Sequence, residues 1–289
     1  MQASLILVAQ GSIQSQMTVP RGITAHRTFK VLDAKTHISI TVEDEASGEF
    51  IVQIENRGLQ LHCVMEIFVG RSAKASILCI SRAHTECSVR ITQQGEIQEQ
   101  GELHWQNITL GGKEVAHSLV SRTSGEGAKS TVDWISYARG KEKQHLSAAN
   151  VFDAPDGRGE ITMRSVAEEK ANVTTKGMIE ITERGKGTNT FLRETTLMLD
   201  PTAKVDAIPG LEIRTNDVKA SHAATVTRVS PEDLFYFGSR GIDGKEARRM
   251  YIDGFLGDLM QHLPQDITHL LHDAVAKKYR DHSFALSGH

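Results

Sequence analysis

The sequence predicts a mainly β protein with a small helical region at its C-terminal end, and three observations support this. From about residue 3 to residue 228, short runs alternate apolar and polar residues with a period of two, as half-buried strands do. Glycine contributes 24 residues and aromatic residues 5% of the chain, which suits aliphatic layers between frequent turns. Helical spacing begins at Ser230. We therefore predict a β domain over residues 1–228 and a helical domain over residues 229–289.

The strand prediction comes from β-branched runs, and glycine-containing segments between them predict turns because glycine readily adopts positive φ. The clearest strands are residues 37–42, 50–54, 88–91, 161–163, 178–181 and 211–213. The predicted turns are residues 55–58, 94–95, 111–112, 124–127, 154–157 and 184–187. A large sandwich and a parallel β-helix share this pattern, and no repeat of fixed length separates them. A sandwich of this size without a domain break is unusual, which favours the β-helix.

Three helices are predicted after the β domain. Ser230, Pro231 and Asp233 supply a capping hydroxyl, a proline at the first helical position and an acid at the third, so a short helix starts here and ends near Gly241. Apolar residues three or four apart predict a second helix over residues 245–262, closed by Pro264. The same spacing predicts a third helix over residues 266–279.

Composition excludes several classes of function. The formal charge of -3 and the lack of a basic block argue against nucleic-acid binding. The apolar run at residues 5–9 is too short for a signal peptide or membrane span, so we expect a cytoplasmic protein. The three cysteines form no CxxC pair and are odd in number, which argues against disulfides and a self-contained zinc site. No GxxxxGK[ST] loop occurs, so any ATPase must be another chain.

A long ordered motif lies in the C-terminal third. Residues 209–226 read PGLEIRTNDVKASHAATV, residues 234–242 read LFYFGSRGI, and EAR and GFL follow at 246–248 and 254–256. This series resembles the SufB/SufD family, whose hallmark is P-x-L-E-I…D-V-K-x-S-H-x-A-T leading into L-F-Y…S-R-G-I…E-A. The residues of the motif are more similar to those of the SufD type, and the chain resembles a compact, divergent or archaeal-style member of the family.

The resemblance implies a right-handed parallel β-helix core whose C-terminal helices dock a SufC-like ABC ATPase. It also implies pairing of two β-helices near the His222 strand, with a second copy or a SufB/SufD-type paralogue. The implied function is a non-enzymatic scaffold for iron–sulfur cluster assembly, in which the cluster is held transiently. Since the chain carries neither subtype signature, a homodimer is favoured.

The candidate cluster or sulfur ligands are His222, Cys87 and Cys63, with His222 also the candidate metal ligand. Family cysteines are replaced here: Ala203 stands where SufB-type members carry one, and Ala220 where SufD-type members do. Cys87 has His84 and Glu86 nearby, a composition that suits metal binding or a lowered thiol pKa. Because strand neighbours face opposite sides, His62 and Cys63 are not expected to bind one metal.

The candidate ATPase-docking residues lie on the predicted helices. Their alternative interpretation is packing within the chain, or a solvated basic face for the arginines. They are Phe235, Phe237, Arg240, Arg248, Tyr251 and Phe255.

Two other functions stay open. The first is an interaction module of the same complex that has no cluster site of its own, which the substitutions beside His222 favour. The second is a β-helix hydrolase or lyase acting on polysaccharide. Such enzymes need aromatic stacking surfaces. The chain has only two tryptophans, Trp105 and Trp134, which argues against such a surface.

Overall fold

The computed structural model describes residues 13–32, 34–56, 58–261, 263–265, 267–269 and 271–273. The chain winds as a parallel β-solenoid, in which strands alternate between two facing sheets. The first sheet contains β1 (Ile13–Val19), β3 (Lys35–Val42), β5 (Gln60–Val69), β7 (Ser88–Ile97), β9 (Glu114–Thr123), β11 (Lys143–Phe152), β13 (Asn172–Ile181), β15 (Lys204–Ala207) and β16 (Gly210–Ile213). The second contains β2 (Thr24–Val31), β4 (Ser47–Asn56), β6 (Lys74–Ala83), β8 (Glu102–Gly111), β10 (Lys129–Ala138), β12 (Arg158–Ala167), β14 (Asn189–Met198) and β17 (Lys219–Arg228).

Parallel pairing within both sheets confirms the β-helix and excludes the sandwich. Each strand pairs with the strand two further along the chain, in register. Alternate residues therefore point into the narrow space between the sheets, where one apolar cluster runs along the solenoid. All six predicted strands lie within observed ones.

Gly95 corrects one predicted turn, because residues 94–95 lie inside β7. A Cβ atom at Gly95 would lie 2.6 Å from Leu103 Cδ2 and 2.9 Å from Trp105 Cζ2. Glycine is present here because a larger neighbour on the facing sheet fills the space, and no chain reversal is involved.

The first two helices follow the prediction closely. Helix α1 spans Pro231–Ser239, and Ser230 and Asp233 form the capping box that the sequence indicates. Helix α2 spans Gly244–Met260, with Asp243 as its N-cap. Residues 265, 267–269 and 271–273 are also helical, and the rest of the predicted third helix lies outside the described residues.

Helix α2 covers the outer face of the second sheet. Ile252 and Leu256 pack on outward-facing Ile108, Ile135 and other aliphatic residues of β6, β8 and β10. This explains why residues on both sides of these strands are buried. The predicted helical domain thus shares a core with the solenoid. No helix among the described residues is long and apolar enough to span a membrane.

Candidate functional site

All three cysteines are buried, and two of them lie on strands of the solenoid. Cys63 on β5 and Cys79 on β6 face each other's sheet and are 0% exposed. Burial raises the pKa of Cys63 to about 12. Burial, followed by the neighbouring charge of Cys63, raises the pKa of Cys79. Both thiols are therefore protonated at neutral pH and closed to solvent, and His62 is exposed on the opposite face of β5, as alternation predicts.

Cys87 lies in the turn before β7 and is also buried. Its Sγ donates to the carbonyl of Ser88 at 3.7 Å, and burial raises its pKa, so the expected lowered pKa is wrong. His84 is exposed, and its Nδ1 accepts from the backbone N–H of Glu86 at 3.4 Å. The local sequence suggested activation, but the turn directs the thiol inward and the imidazole outward.

His222 lies on β17, the terminal strand of the second sheet, and is exposed. Its backbone partner on β14 is Leu192, a fully buried core residue. Residues in register share a face, so His222 points toward the interior side at the open end of the solenoid. An imidazole here is accessible because no further coil among the described residues covers it.

Glu194 is a candidate functional residue that no sequence motif singled out. It is 1% exposed on the inner face of β14, and its backbone partner is Ala224, two residues beyond His222 on β17. Its Oε1 accepts the backbone N–H of Gly177, whereas Oε2 has no hydrogen-bond partner among the described residues. Burial raises the pKa of this carboxyl group. The signal in the sequence was an acid at an inward position of an alternating run.

The replaced cysteine positions differ in their surroundings. Ala203 is 6% exposed in the turn before β15 and packs in a small alanine-rich cluster. Ala220 is partly buried at the start of β17. Among the residues that the structure describes, no group of three His, Cys, Asp or Glu side chains is arranged to hold a metal ion. Within the described part of one chain, the several soft ligands that a cluster requires are therefore not brought together.

The predicted docking residues divide into two groups. Phe235 on α1 is 78% exposed, and the guanidinium of Arg240 lies 5.4 Å from the ring centre of Tyr236, which is itself 58% exposed. Phe237 packs instead against Tyr251, with ring centres 5.5 Å apart. We call Phe235, Tyr236 and Arg240 the α1 face.

Two other predicted docking residues, Arg248 and Phe255, hold α2 on the solenoid. Arg248 donates to the carbonyl of Leu199 and to Asp200, both at 3.1 Å. The guanidinium of Arg164 lies over the ring of Phe255 and donates to the Phe255 carbonyl and to Asp258. These contacts fix the orientation of α2 against the second sheet.

The family comparison agrees with this architecture. The model of the family described as "SUF system FeS cluster assembly, SufBD core domain" matches residues 28–255. The chain belongs to the SufB/SufD family. Its match covers the solenoid from β2 onward, together with α1 and most of α2.

The curated SufB/SufD relatives are longer than this chain. Iron-sulfur cluster assembly SufBD family proteins of Staphylococcus saprophyticus, Staphylococcus epidermidis and Staphylococcus aureus are each 29% identical over 203 residues. The match covers 70% of this chain and 44% of each relative. The chain thus matches less than half the length of these relatives.

Proposed function

We propose that this SufB/SufD-family chain is a non-enzymatic scaffold subunit that helps assemble iron–sulfur clusters in complex with a SufC-like ABC ATPase. The observation that carries the proposal is the α1 face. Large aromatic side chains are exposed there on a helix whose neighbour is tied to the solenoid, and exposed aromatics of this kind mark protein contacts. Because α2 is fixed to the solenoid, movements of an ATPase docked on α1 would be transmitted to the solenoid.

Co-purification with a co-expressed SufC-like ATPase tests this contact. Phe235→Ala together with Tyr236→Ala should weaken retention of the ATPase at least tenfold, because aromatic anchors dominate such interfaces. Leu59→Ala is the matched control, since Leu59 is 76% exposed in a turn of the solenoid. Equal retention by both variants would exclude the α1 face as the docking surface.

The second part of the proposal concerns β17. No described strand pairs with its outer edge, and this edge and the exposed His222 suit pairing with a second SufB/SufD-type chain, either a copy or a paralogue, by strand addition. Iron is then bound between chains, with His222 as one ligand. Glu194 is the backbone partner of Ala224, two residues beyond His222 on β17, and serves as a harder, exchangeable donor to the iron.

Anaerobic reconstitution with iron and sulfide, alone and with the ATPase, tests the cluster role. Wild type and Cys87→Ala should show cluster absorbance, because Cys87 is buried, whereas His222→Ala should lose most of it. Full absorbance in His222→Ala would remove His222 from the ligand set.

Absence of a cluster in wild type under both conditions would favour the second candidate, an interaction module without its own cluster site. The burial of Cys63, Cys79 and Cys87 is the observation in its favour. We also propose that the protein acts in the cytoplasm, together with its proposed partners.

A further inference from the structure

The outer face of the first sheet differs from that of the second. Helix α2 covers part of the second sheet, while no described segment packs across the first. Phe68 and Val120 on this bare face are 39% and 42% exposed. In-register pairing aligns its outward side chains in columns that run along the solenoid axis.

The columns divide the face by charge. The columns nearest the strand starts form a basic half, interrupted by Glu114 and Asp206; it contains Lys35, Arg90, Lys143, Lys176 and Lys204. The column nearest the strand ends forms an acidic half, which contains Glu96, Glu180 and Glu212. Two arginines interrupt the acidic half. The guanidinium of Arg122 lies 3.7 Å from Asp153, and that of Arg214 pairs with Glu212 and lies 3.9 Å from Glu180.

An apolar column separates the two halves. Val120, Ala149 and Met178 occupy equivalent positions on β9, β11 and β13, and we call them the seam. The column continues with two polar residues, Gln94 on β7 and Glu66 on β5, and the Glu66 carboxylate is 2.7 Å from Nε2 of His37. The seam thus lies between the basic half and the acidic half of one surface.

We propose that this face binds a second copy of the chain, related by a two-fold axis that runs along the seam. Rotation about such an axis places the basic half of each copy on the acidic half of the other and brings the two seams together. On β7 and β13 it brings Arg90 toward the partner's Glu96 and Lys176 toward the partner's Glu180. A two-fold axis parallel to the strands would instead oppose like charges.

The size of the face suits a stable pair. At about 3.3 Å per residue and about 4.8 Å between strands, the outward positions span roughly 900 Å². Stable interfaces bury about 800 Å² on each partner. This contact is independent of the pairing proposed at β17, so either one can fail without the other.

Charge reversal tests the face in the full chain. One variant, Arg90→Glu with Lys176→Glu, makes the face acidic; the other, Glu96→Lys with Glu180→Lys, makes it basic. Sedimentation should give each variant alone a smaller mass than the wild-type assembly, and half that mass where β17 does not pair chains. An equimolar mixture of the two should regain the wild-type mass, because an acidic face then meets a basic one. Lys129→Glu on the second sheet is the control and should keep the wild-type mass.

Cross-linking gives a second readout that does not depend on mass. Ala149→Cys lies on the proposed axis, so a short bismaleimide should link two copies through it, while Lys129→Cys should stay unlinked. The native thiols are buried and should not interfere. A common mass for wild type, both variants and the mixture, together with no cross-link at Ala149→Cys, would overturn the proposal and leave the face to a different protein.

Discussion

His117 is a buried polar residue in the interior of the solenoid. Its Nε2 is 2.9 Å from Oε1 of Gln93, and its ring packs edge-on against Trp134 with centres 4.4 Å apart. Gln93 also exchanges two hydrogen bonds with Asn107 across the sheets. Burial lowers the pKa of His117 to about 3, so the imidazole stays neutral while the protein is folded.

Acid should therefore destabilise the protein through His117. The unfolded imidazole, with a pKa of about 6.5, takes up a proton below that pH and the folded one does not. Stability from this group is present above the unfolded pKa and is lost as the pH falls. From pH 7 to pH 5 we expect a loss of about 2 kcal/mol in the free energy of unfolding, measured with urea. His117→Gln should lack this part of the loss, and equal losses in both proteins would contradict it.

The burial of the thiols leads to a second prediction at the scale of single residues. With a pKa of about 12, Cys63 carries roughly a thousandth of the thiolate of an ordinary cysteine at pH 8, in addition to being shielded. Reaction with an aromatic disulfide reagent should therefore be more than 1,000-fold slower in the folded protein than in guanidinium. Leu59→Cys provides an exposed thiol for comparison. A native thiol that reacts as fast as this one would show that a cysteine is accessible.

At the scale of elements, strands are the part of the fold most readily predicted. Alternation is local, so it identified the runs in β3, β4, β7, β12, β13 and β16. The roles of single residues depend on the facing sheet, which local sequence does not reveal. Gly95 was misread as a turn and Glu194 was not singled out for this reason. For the site, the role of His222 stays a prediction, and the thiol environments depend on packing that local sequence does not reveal.

Gly95 and Gly254 should respond oppositely to alanine. Gly95→Ala should lower the free energy of unfolding by about 1–3 kcal/mol, because the methyl group would collide with Leu103 and the fully buried Trp105. Gly254→Ala in α2 meets nothing within 4 Å and should raise it by about 0.5–1 kcal/mol through helix propensity. Urea unfolding measures both, and a neutral Gly95→Ala would show that the interior has room to adjust.

At the scale of the whole molecule, a charged cluster joins the helical region to the solenoid. Besides Asp200, Arg248 lies 3.7 Å from Glu168, which is 3% exposed and also 3.5 Å from Arg139. Removing a cation from the buried Glu168 and the partly exposed Asp200 leaves negative charge without compensation, which is destabilising. The attachment of α2 thus depends on Arg248 as well as on apolar packing.

Arg248→Ala should loosen α2 without unfolding the solenoid. We expect a loss of about 1–2 kcal/mol and faster amide exchange confined to Gly244–Met260 and its contacts. The neighbouring Arg249 forms its hydrogen bonds with Glu246 on the same helix, so Arg249→Ala should change stability by less than about 0.5 kcal/mol. Equal protection of α2 in both variants, by hydrogen exchange, would assign the attachment to apolar packing alone.

The in-register stacking of coils also bears on how such a protein changes length in evolution. Along the second sheet, partners are separated by 23 residues from Thr24 to Ser47 and by 31 from Arg158 to Asn189, while the paired strands keep one register. Length differences collect in the corners, which explains why no fixed repeat is visible. Duplication or loss of a complete coil preserves every inward-facing position, whereas a one-residue insertion within a strand reverses its faces. Homologues should therefore differ by whole coils or by corner insertions.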